Sequence, residues 1–157
     1  MKIVLLTVGK TSQKNIEEEI LLYSKRLSHY TDFELQEIPS LKISTKISQS
    51  ELKKSEGQMV MKYLNSSDYV VLLDENGKSY SSIDFSKKIE KFMLNSFKRI
   101  VFVIGGAFGF SDELYSRCNE KVSLSNMTFS HQMVRLFFVE QLYRAFTIIN
   151  NEKYHHQ

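Results

Sequence analysis

The chain alternates short, almost wholly apolar runs with longer segments whose apolar residues recur every three or four positions. Residues 2–8, 69–73 and 100–104 are the runs. Each is strand-length and apolar at both parities, which predicts strands buried on both faces. Between them, Ile16, Ile20, Tyr23 and Leu27 fall on one helical stripe. Leu52, Met59 and Tyr63, with Val60 and Leu64, predict a second helix. Phe85, Ile89, Phe92 and Met93 predict a third, with Ser81 and Asp84 placed to cap its start. Residues 33–38 alternate like a strand and stop at Pro39, the only proline. Residues 41–50 are rich in Ser, Lys and Thr without clear periodicity, which predicts a mobile loop. Asp74-Glu75-Asn76-Gly77 predicts a turn closing the strand before it. A short helix over 112–118, a short strand over 121–124 and a long helix over 132–149 complete the order, before a polar tail.

Strands that alternate with helices predict an α/β fold, with a mainly parallel sheet covered by helices. No repeat, linker or composition break divides the chain, so residues 1–157 are expected to form one domain. Ligands in such sheets sit beyond the carboxyl ends of the strands. Those ends are Val8-Gly9, Leu73-Asp74, Ile104-Gly105 and Leu124-Ser125.

Composition narrows the classes. The 157 residues are 42% hydrophobic and 25% charged, enough to bury a core and unlike a disordered chain. No apolar run is long enough to cross a membrane, and the opening run is too short for a secretion signal. Cys118 is the only cysteine, which excludes an internal disulfide and a Cys-rich metal site. No metal-type His spacing stands out either, so no metal is expected. A cytoplasmic protein is the expectation. The net charge of +3 does not by itself demand a nucleic-acid partner. Its clustering matters more: Lys42, Lys46, Lys53 and Lys54 form one group, and Lys87, Lys88, Lys91, Lys98 and Arg99 another.

Two nucleotide motifs fail on spacing. Gly9-Lys10-Thr11 and Gly77-Lys78-Ser79 end like P-loops, but the required earlier glycine is Val4 in one and Leu72 in the other. Gly105-Gly106-Ala107-Phe108-Gly109 lacks the spacing of a dinucleotide loop. A glycine pair after a buried strand still permits positive φ and close backbone approach. Met127-Thr128-Phe129 suits either a ligand ring or a core plug, and Ser130 is placed to cap the helix that follows.

That last helix carries Glu140, Arg144 and Thr147 on one narrow polar face and is otherwise almost entirely apolar. A helix apolar nearly all round needs cover on most sides, and a dimer partner would supply it. Arg135 shares the sector of Phe138, Leu142 and Phe146. Because an unpaired buried guanidinium is costly, it is expected either to pair with a carboxylate across the interface or to face an anion. The ending Tyr154-His155-His156-Gln157 reads as a frayed terminus or as a functional tail.

In order and spacing these features resemble the RlmH family of small SPOUT-class ribosomal RNA methyltransferases. The resemblance runs through the Gly9-Lys10 turn, Glu56-Gly57, Leu73-Asp74-Glu75-Asn76-Gly77-Lys78 with Ser81-Ser82, and Phe102-Val103-Ile104-Gly105-Gly106. It is densest over residues 125–149 and in Tyr154-His155. It implies a C-terminal trefoil knot, a rare exception to the threading rule. It also implies a homodimer in which each cofactor site lies near the partner subunit. The implied activity is N3-methylation of a pseudouridine in 23S ribosomal RNA of assembled ribosomes, with S-adenosylmethionine as cofactor. By position, the cofactor contacts fall on Leu73, Gly105, Gly106, Leu124, Ser125, Asn126, Met127, Thr128 and Phe129. Residues linked to activity fall on His131, Glu140, Arg144, Tyr154 and His155.

Two positions depart from the family pattern. Many relatives have proline where Ser130 stands, a change a capping serine tolerates. Relatives also tend to a basic residue after Tyr-His, where this chain has His156 and then Gln157. Two other classes fit the same sequence. One is a non-catalytic ribosome-binding protein of the same fold. The other is a small-molecule nucleotide enzyme, against which the failed spacings already count.

Overall fold

The computed structural model describes residues 1–41 and 47–155. Lys42 and Lys46 of the first basic group, and the His156-Gln157 ending, lie outside the described residues. In chain order the elements are β1 (Lys2–Val8), α1 (Lys14–Leu27), β2 (Asp32–Ile38), α2 (Gln49–Met61), β3 (Tyr69–Ser79), α3 (Ser82–Leu94), β4 (Arg99–Ile104), α4 (Asp112–Arg117), β5 (Glu120–Ser123) and α5 (Met133–Ile149). The strands form one parallel sheet in the order β2-β1-β4-β3-β5. This is the α/β architecture that the apolar runs predict.

The pleat explains why those runs are apolar at both parities. Ile3, Leu5, Ile100, Phe102 and Ile104 point to one face, where α1, α3 and α5 cover them. Val4, Leu6, Val101 and Val103 point to the other, where Val60 of α2 and Leu114 of α4 close the layer. On the first face Phe138 of α5 packs against Phe102, with ring centres 4.7 Å apart. β4 sits between β1 and β3, while β5 is added beyond β3. The chain therefore leaves the sheet centre, adds an outer strand and returns in α5 to pack on α1 and α3.

Several expectations change. Ser48 caps α2 in a full capping box with Glu51, so the helix takes up the end of the stretch expected to be a loop. Tyr63 and Leu64 fall in the turn after α2, yet they still pack on the second core. Met93 lies on the outer side of α3 and is exposed. The largest change concerns residues 74–77. Leu73 and Lys78 both pair with Val122 of β5, so the turn is an excursion within β3 rather than its end. Inside it the Asn76 N–H donates to Asp74 Oδ1 at 2.8 Å. The local signal for a turn is correct; the return to the ladder depends on β5, which is remote in sequence.

Arg135 corrects both readings offered for it. It is 2% exposed, and all its partners belong to its own chain. Its guanidinium donates to the His131 and Val8 carbonyls, to Thr11 Oγ1 and to Glu37 Oε1. Glu37 comes from the neighbouring strand β2, which the parallel sheet brings beside β1. The arginine thus ties the start of α5 to the carboxyl ends of β1 and β2.

Candidate functional site

A cavity of about 580 Å³ opens beyond the carboxyl ends of β3, β4 and β5. Its volume falls within the usual range for small-molecule sites. Leu73 and Asp74 line it from β3, and Ile104, Gly105 and Gly106 from the end of β4. The loop after β5 contributes Leu124, Ser125, Met127, Thr128 and Phe129, and His131 with Val134 close it at the start of α5. Of the nine positions expected to contact a cofactor, only Asn126 does not face the cavity.

Local chemistry sets these walls. Ser125 Oγ accepts the Met127 N–H at 2.9 Å, and its carbonyl accepts the Ser123 hydroxyl, which curls the loop at the sheet's edge. Phe129 packs on Phe137 of α5, with ring centres 4.7 Å apart. Gln132, not Ser130, stands at the N-cap of α5; the Ser130 hydroxyl accepts the Met133 N–H and its carbonyl the Val134 N–H, which holds the turn leading into the helix. On the β4 side, Gly105 and Gly106 do not need positive φ; that demand falls on Gly109, at +80°. Their requirement is close approach. A Cβ on Gly105 would lie 3.0 Å from the Phe110 ring, and one on Gly106 would lie 2.7 Å from Glu56 Cδ.

Sequence reasoning missed several residues of the cavity. Tyr115, on the short helix α4, donates its hydroxyl to Asp74 Oδ2 at 2.5 Å. Burial and that carboxylate push the phenol up to about 12, so it stays a donor at neutral pH. Lys53 reaches the rim from α2. Its neighbour Glu56, one turn on, lies behind Gly106. Lys53 stands out in the sequence only as a member of a basic group and Glu56 only beside Gly57; nothing local ties Tyr115 to Asp74.

Glu56 Oε2 is buried with no hydrogen-bond partner among the described residues. Burial pushes its carboxyl above the ordinary range. The folded protein therefore holds this proton more tightly than the unfolded chain does. Stability falls as pH rises through that interval, and the loss is complete above the folded value. A Glu56→Gln variant cannot ionise and is expected to be about 1 kcal/mol more stable than the parent at about pH 8. The advantage should shrink toward about pH 4, near the unperturbed value. Thermal unfolding at both pH values checks this; the same difference at both would show that ionisation at Glu56 costs nothing.

The activity-linked residues separate into two places. His131 lines the cavity, where desolvation and then the Arg135 charge push its imidazole below the ordinary value. Glu140, Arg144, Tyr154 and His155 form a second cluster, against α1. Arg144 Nη2 donates to Glu140 Oε1 at 2.5 Å, and the Tyr154 hydroxyl donates to the same oxygen at 2.9 Å. Tyr154 also meets the Tyr23 hydroxyl at 3.1 Å, and the Arg144 guanidinium lies 4.7 Å from the centre of its ring. Burial, then the hydrogen bonds with Tyr23 and Glu140, raise the Tyr154 pKa, so it too stays protonated. Arg144 Nη1 lies 3.3 Å from His155 Nδ1. Arginine has only donors, so Nδ1 must accept, and neutral His155 carries its proton on Nε2. Glu140 and Arg144 lie six and ten residues after Val134, roughly 9 and 15 Å along the helix. Within one chain the cluster and the cavity are therefore apart.

No helix among the described residues is long and apolar enough to cross a membrane. Comparison with known proteins then adds three findings. A family model described as "Predicted SPOUT methyltransferase" matches residues 1–155. The chain is 54% identical to the "Ribosomal RNA large subunit methyltransferase H" of Christiangramia forsetii, over 157 residues and 100% of both chains. Proteins of the same name in Flavobacterium johnsoniae and Parabacteroides distasonis are 52% and 50% identical, again over 100% of both chains. Among solved structures, a probable methylase family protein from Haemophilus influenzae Rd KW20 is similar in fold. Its TM-score is 0.50 at 15% identity, covering 99% of this chain and 70% of that one.

Proposed function

We propose, because the chain belongs to the SPOUT methyltransferase family, that it methylates N3 of a pseudouridine in 23S ribosomal RNA within assembled ribosomes, using S-adenosylmethionine. The observation that carries this reading is the cavity at the carboxyl ends of β3, β4 and β5, built from eight of the nine positions at which the family resemblance places the cofactor. The relatives that share the whole length of the chain bear the name of a large-subunit ribosomal RNA methyltransferase. The proposal treats the chain as one cytoplasmic methyltransferase domain. The trefoil knot is part of it, supported by β5 lying beyond β3 while α5 returns over β4.

The cavity fits the cofactor by its chemistry. Gly105 and Gly106 offer backbone where a side chain would intrude, and Leu73, Leu124 and Phe129 offer apolar surface to a nucleoside. Lys53 at the rim suits a carboxylate, and Asp74 and Glu75 suit a cation. The bound cofactor supplies a methyl group activated on a sulfonium. The protein's own work is placement, which supplies roughly 7–11 kcal/mol of barrier lowering when reacting groups are well oriented. The N3 proton of the base leaves as the methyl arrives. His131 accepts it in this reading, which is supported by its position on the cavity wall and by a pKa lowered by burial. His155, with its proton on Nε2, orients the base by donating to a carbonyl oxygen, while Arg144, Glu140 and Tyr154 hold the tail in place.

Because the tail cluster is separate from the cavity of its own chain, the proposal includes a homodimer in which a second copy brings its tail to the site. Exposed apolar side chains around the cavity support this: Met127, Phe108 and Phe137 are 75%, 42% and 36% exposed.

Methylation of ribosomes lacking the modification, with labelled S-adenosylmethionine, tests the reading. Transfer to the large-subunit RNA is expected, with cofactor binding in calorimetry. Absence of both transfer and cofactor binding would reject the enzyme, and ribosome binding without cofactor binding would identify a non-catalytic relative. A His155→Ala variant is expected to lose about 10²-fold in transfer rate through misplacement of the base, with unchanged cofactor affinity. Full activity in that variant would remove His155 from the site.

A further inference from the structure

A second concavity, of about 320 Å³, lies between the end of β3 and α3. Lys78 and Tyr80 line it on one side, and Asp84, Lys87, Lys88 and Lys91 on the other. Its charges are not equivalent. Lys88 is only 14% exposed and is neutralised by Glu120 at 2.5 Å. Lys87 is 65% exposed and reaches Asp84 at 3.4 Å, a loose pair that a stronger anion can displace. Lys78 and Lys91 make no ion pair among the described residues. The Tyr80 ring holds the ammonium groups of Lys78 and Lys88 at 5.2 Å each, one on the rim and one in the floor. The groove therefore offers three exposed ammonium groups beside a polarisable ring.

This grouping differs from the one that sequence proximity suggests. Lys98 directly precedes β4 and Arg99 opens it, at the opposite end of the sheet from the cavity, where Arg99 is bound to Asp68 at 2.8 Å. Lys78 joins instead, because β3 returns to the ladder at that residue after its excursion. The excursion itself, Asp74 to Asn76, lines the cofactor cavity. Two residues after the groove's Tyr80, Ser82 at the start of α3 is tied to the tail cluster through Gln141. The Ser82 hydroxyl donates to Gln141 Oε1 at 2.8 Å, and Gln141 Nε2 donates to Glu140 Oε2 at 2.8 Å. One segment of backbone thus lies beside the groove, the cavity and the cluster.

We propose that this groove takes the sugar–phosphate backbone of the ribosomal RNA substrate, with Lys78, Lys87 and Lys91 contacting phosphates. The inference rests on the function proposed above and assigns the surface that the substrate occupies. Phosphates release counterions when lysines neutralise them, so each contact adds about 0.7–0.9 to the slope of log affinity against log salt. Such contacts position the RNA without reading its sequence.

The test uses the full chain and purified ribosomes lacking the modification, across roughly 50–200 mM salt. A Lys78→Ala/Lys87→Ala/Lys91→Ala variant is expected to bind ribosomes at least about 10-fold more weakly at low salt, with a salt slope smaller by roughly 2–3. Its KM for ribosomes should rise by a similar factor. Its kcat at saturation and its affinity for S-adenosylmethionine in calorimetry should stay within about twofold of the parent. A control that removes the same charge elsewhere, Lys25→Ala/Lys62→Ala/Lys98→Ala, should keep the parental slope. Equal weakening in the two variants, or a parental slope in the groove variant, overturns the proposal. The two readings fail separately: a parent that binds ribosomes through the groove yet transfers no methyl rejects the enzyme and leaves the groove standing.

Discussion

A Gly77→Ala variant is expected to lose about 3 kcal/mol of stability and most of its affinity for the cofactor. A Cβ at this position would lie 2.6 Å from both the N and the C of Val122 and 2.7 Å from the C of Lys121. These are backbone atoms of a paired strand, so no side chain can turn away to make room. Val122 is also the residue that pairs with both Leu73 and Lys78. Pushing it outward loosens β5 from β3 on both sides of the excursion. The cavity depends on that seam, since Asp74 and Asn76 line it from β3, and Ser123 of β5 with Leu124 and Ser125 just after it line it from the other side. Gly106 makes a useful contrast, because a Cβ there meets the end of the Glu56 side chain, which can rotate. Gly106→Ala should therefore cost less stability than Gly77→Ala. Thermal unfolding and calorimetry with S-adenosylmethionine check both. A Gly77→Ala protein with parental midpoint and affinity would mean that the cavity does not depend on the β3–β5 seam.

Replacing Arg135 by leucine should also cost about 3 kcal/mol. Breaking a fully buried pair costs about 3–5 kcal/mol, because a charge is left without compensation. Here the lower end applies. Glu37 is 27% exposed and keeps its bonds from the Thr11 N–H and hydroxyl. The carbonyls of Val8 and His131 lose their donor, and the leucine leaves part of the guanidinium's space unfilled. For a chain of this size the midpoint should fall by roughly 6–12 °C. Arg135→Lys should recover little, since a single ammonium cannot reach acceptors on three sides. A double-mutant cycle with Glu37→Gln separates the ion pair from the rest. If Arg135→Leu shifts the midpoint by less than about 2 °C, the arginine does not hold α5 to β1 and β2 as its contacts suggest.

These two positions show how much of the protein could be read early. Gly77 was visible as half of an Asn-Gly turn, and the turn exists. Its real constraint comes from Val122, 45 residues later, and no local pattern carries it. Arg135 stood out as a charge on an apolar sector. Its burial was correctly expected, but its partner Glu37 is 98 residues away. The cavity was more legible. Eight of nine expected positions face it because they belong to strand ends and the loops after them, which a parallel sheet places together. Tyr115, Lys53 and Glu56 were not legible as site residues, since they arrive from helices on the far face.

The sequence by itself determined the element order, the parallel sheet and the family, because hydrophobic periodicity is local and the motif order spans the whole chain. It also determined which loops line the cavity. Tertiary structure alone decided three things: that Lys78 joins Lys87 and Lys91 while Lys98 does not, that Arg135 is neutralised within its own chain, and that the tail cluster lies away from the cavity. Each depends on which strands become neighbours. Strand order is fixed by burial of the whole sheet on two faces, and that balance cannot be read from any single stretch of the chain.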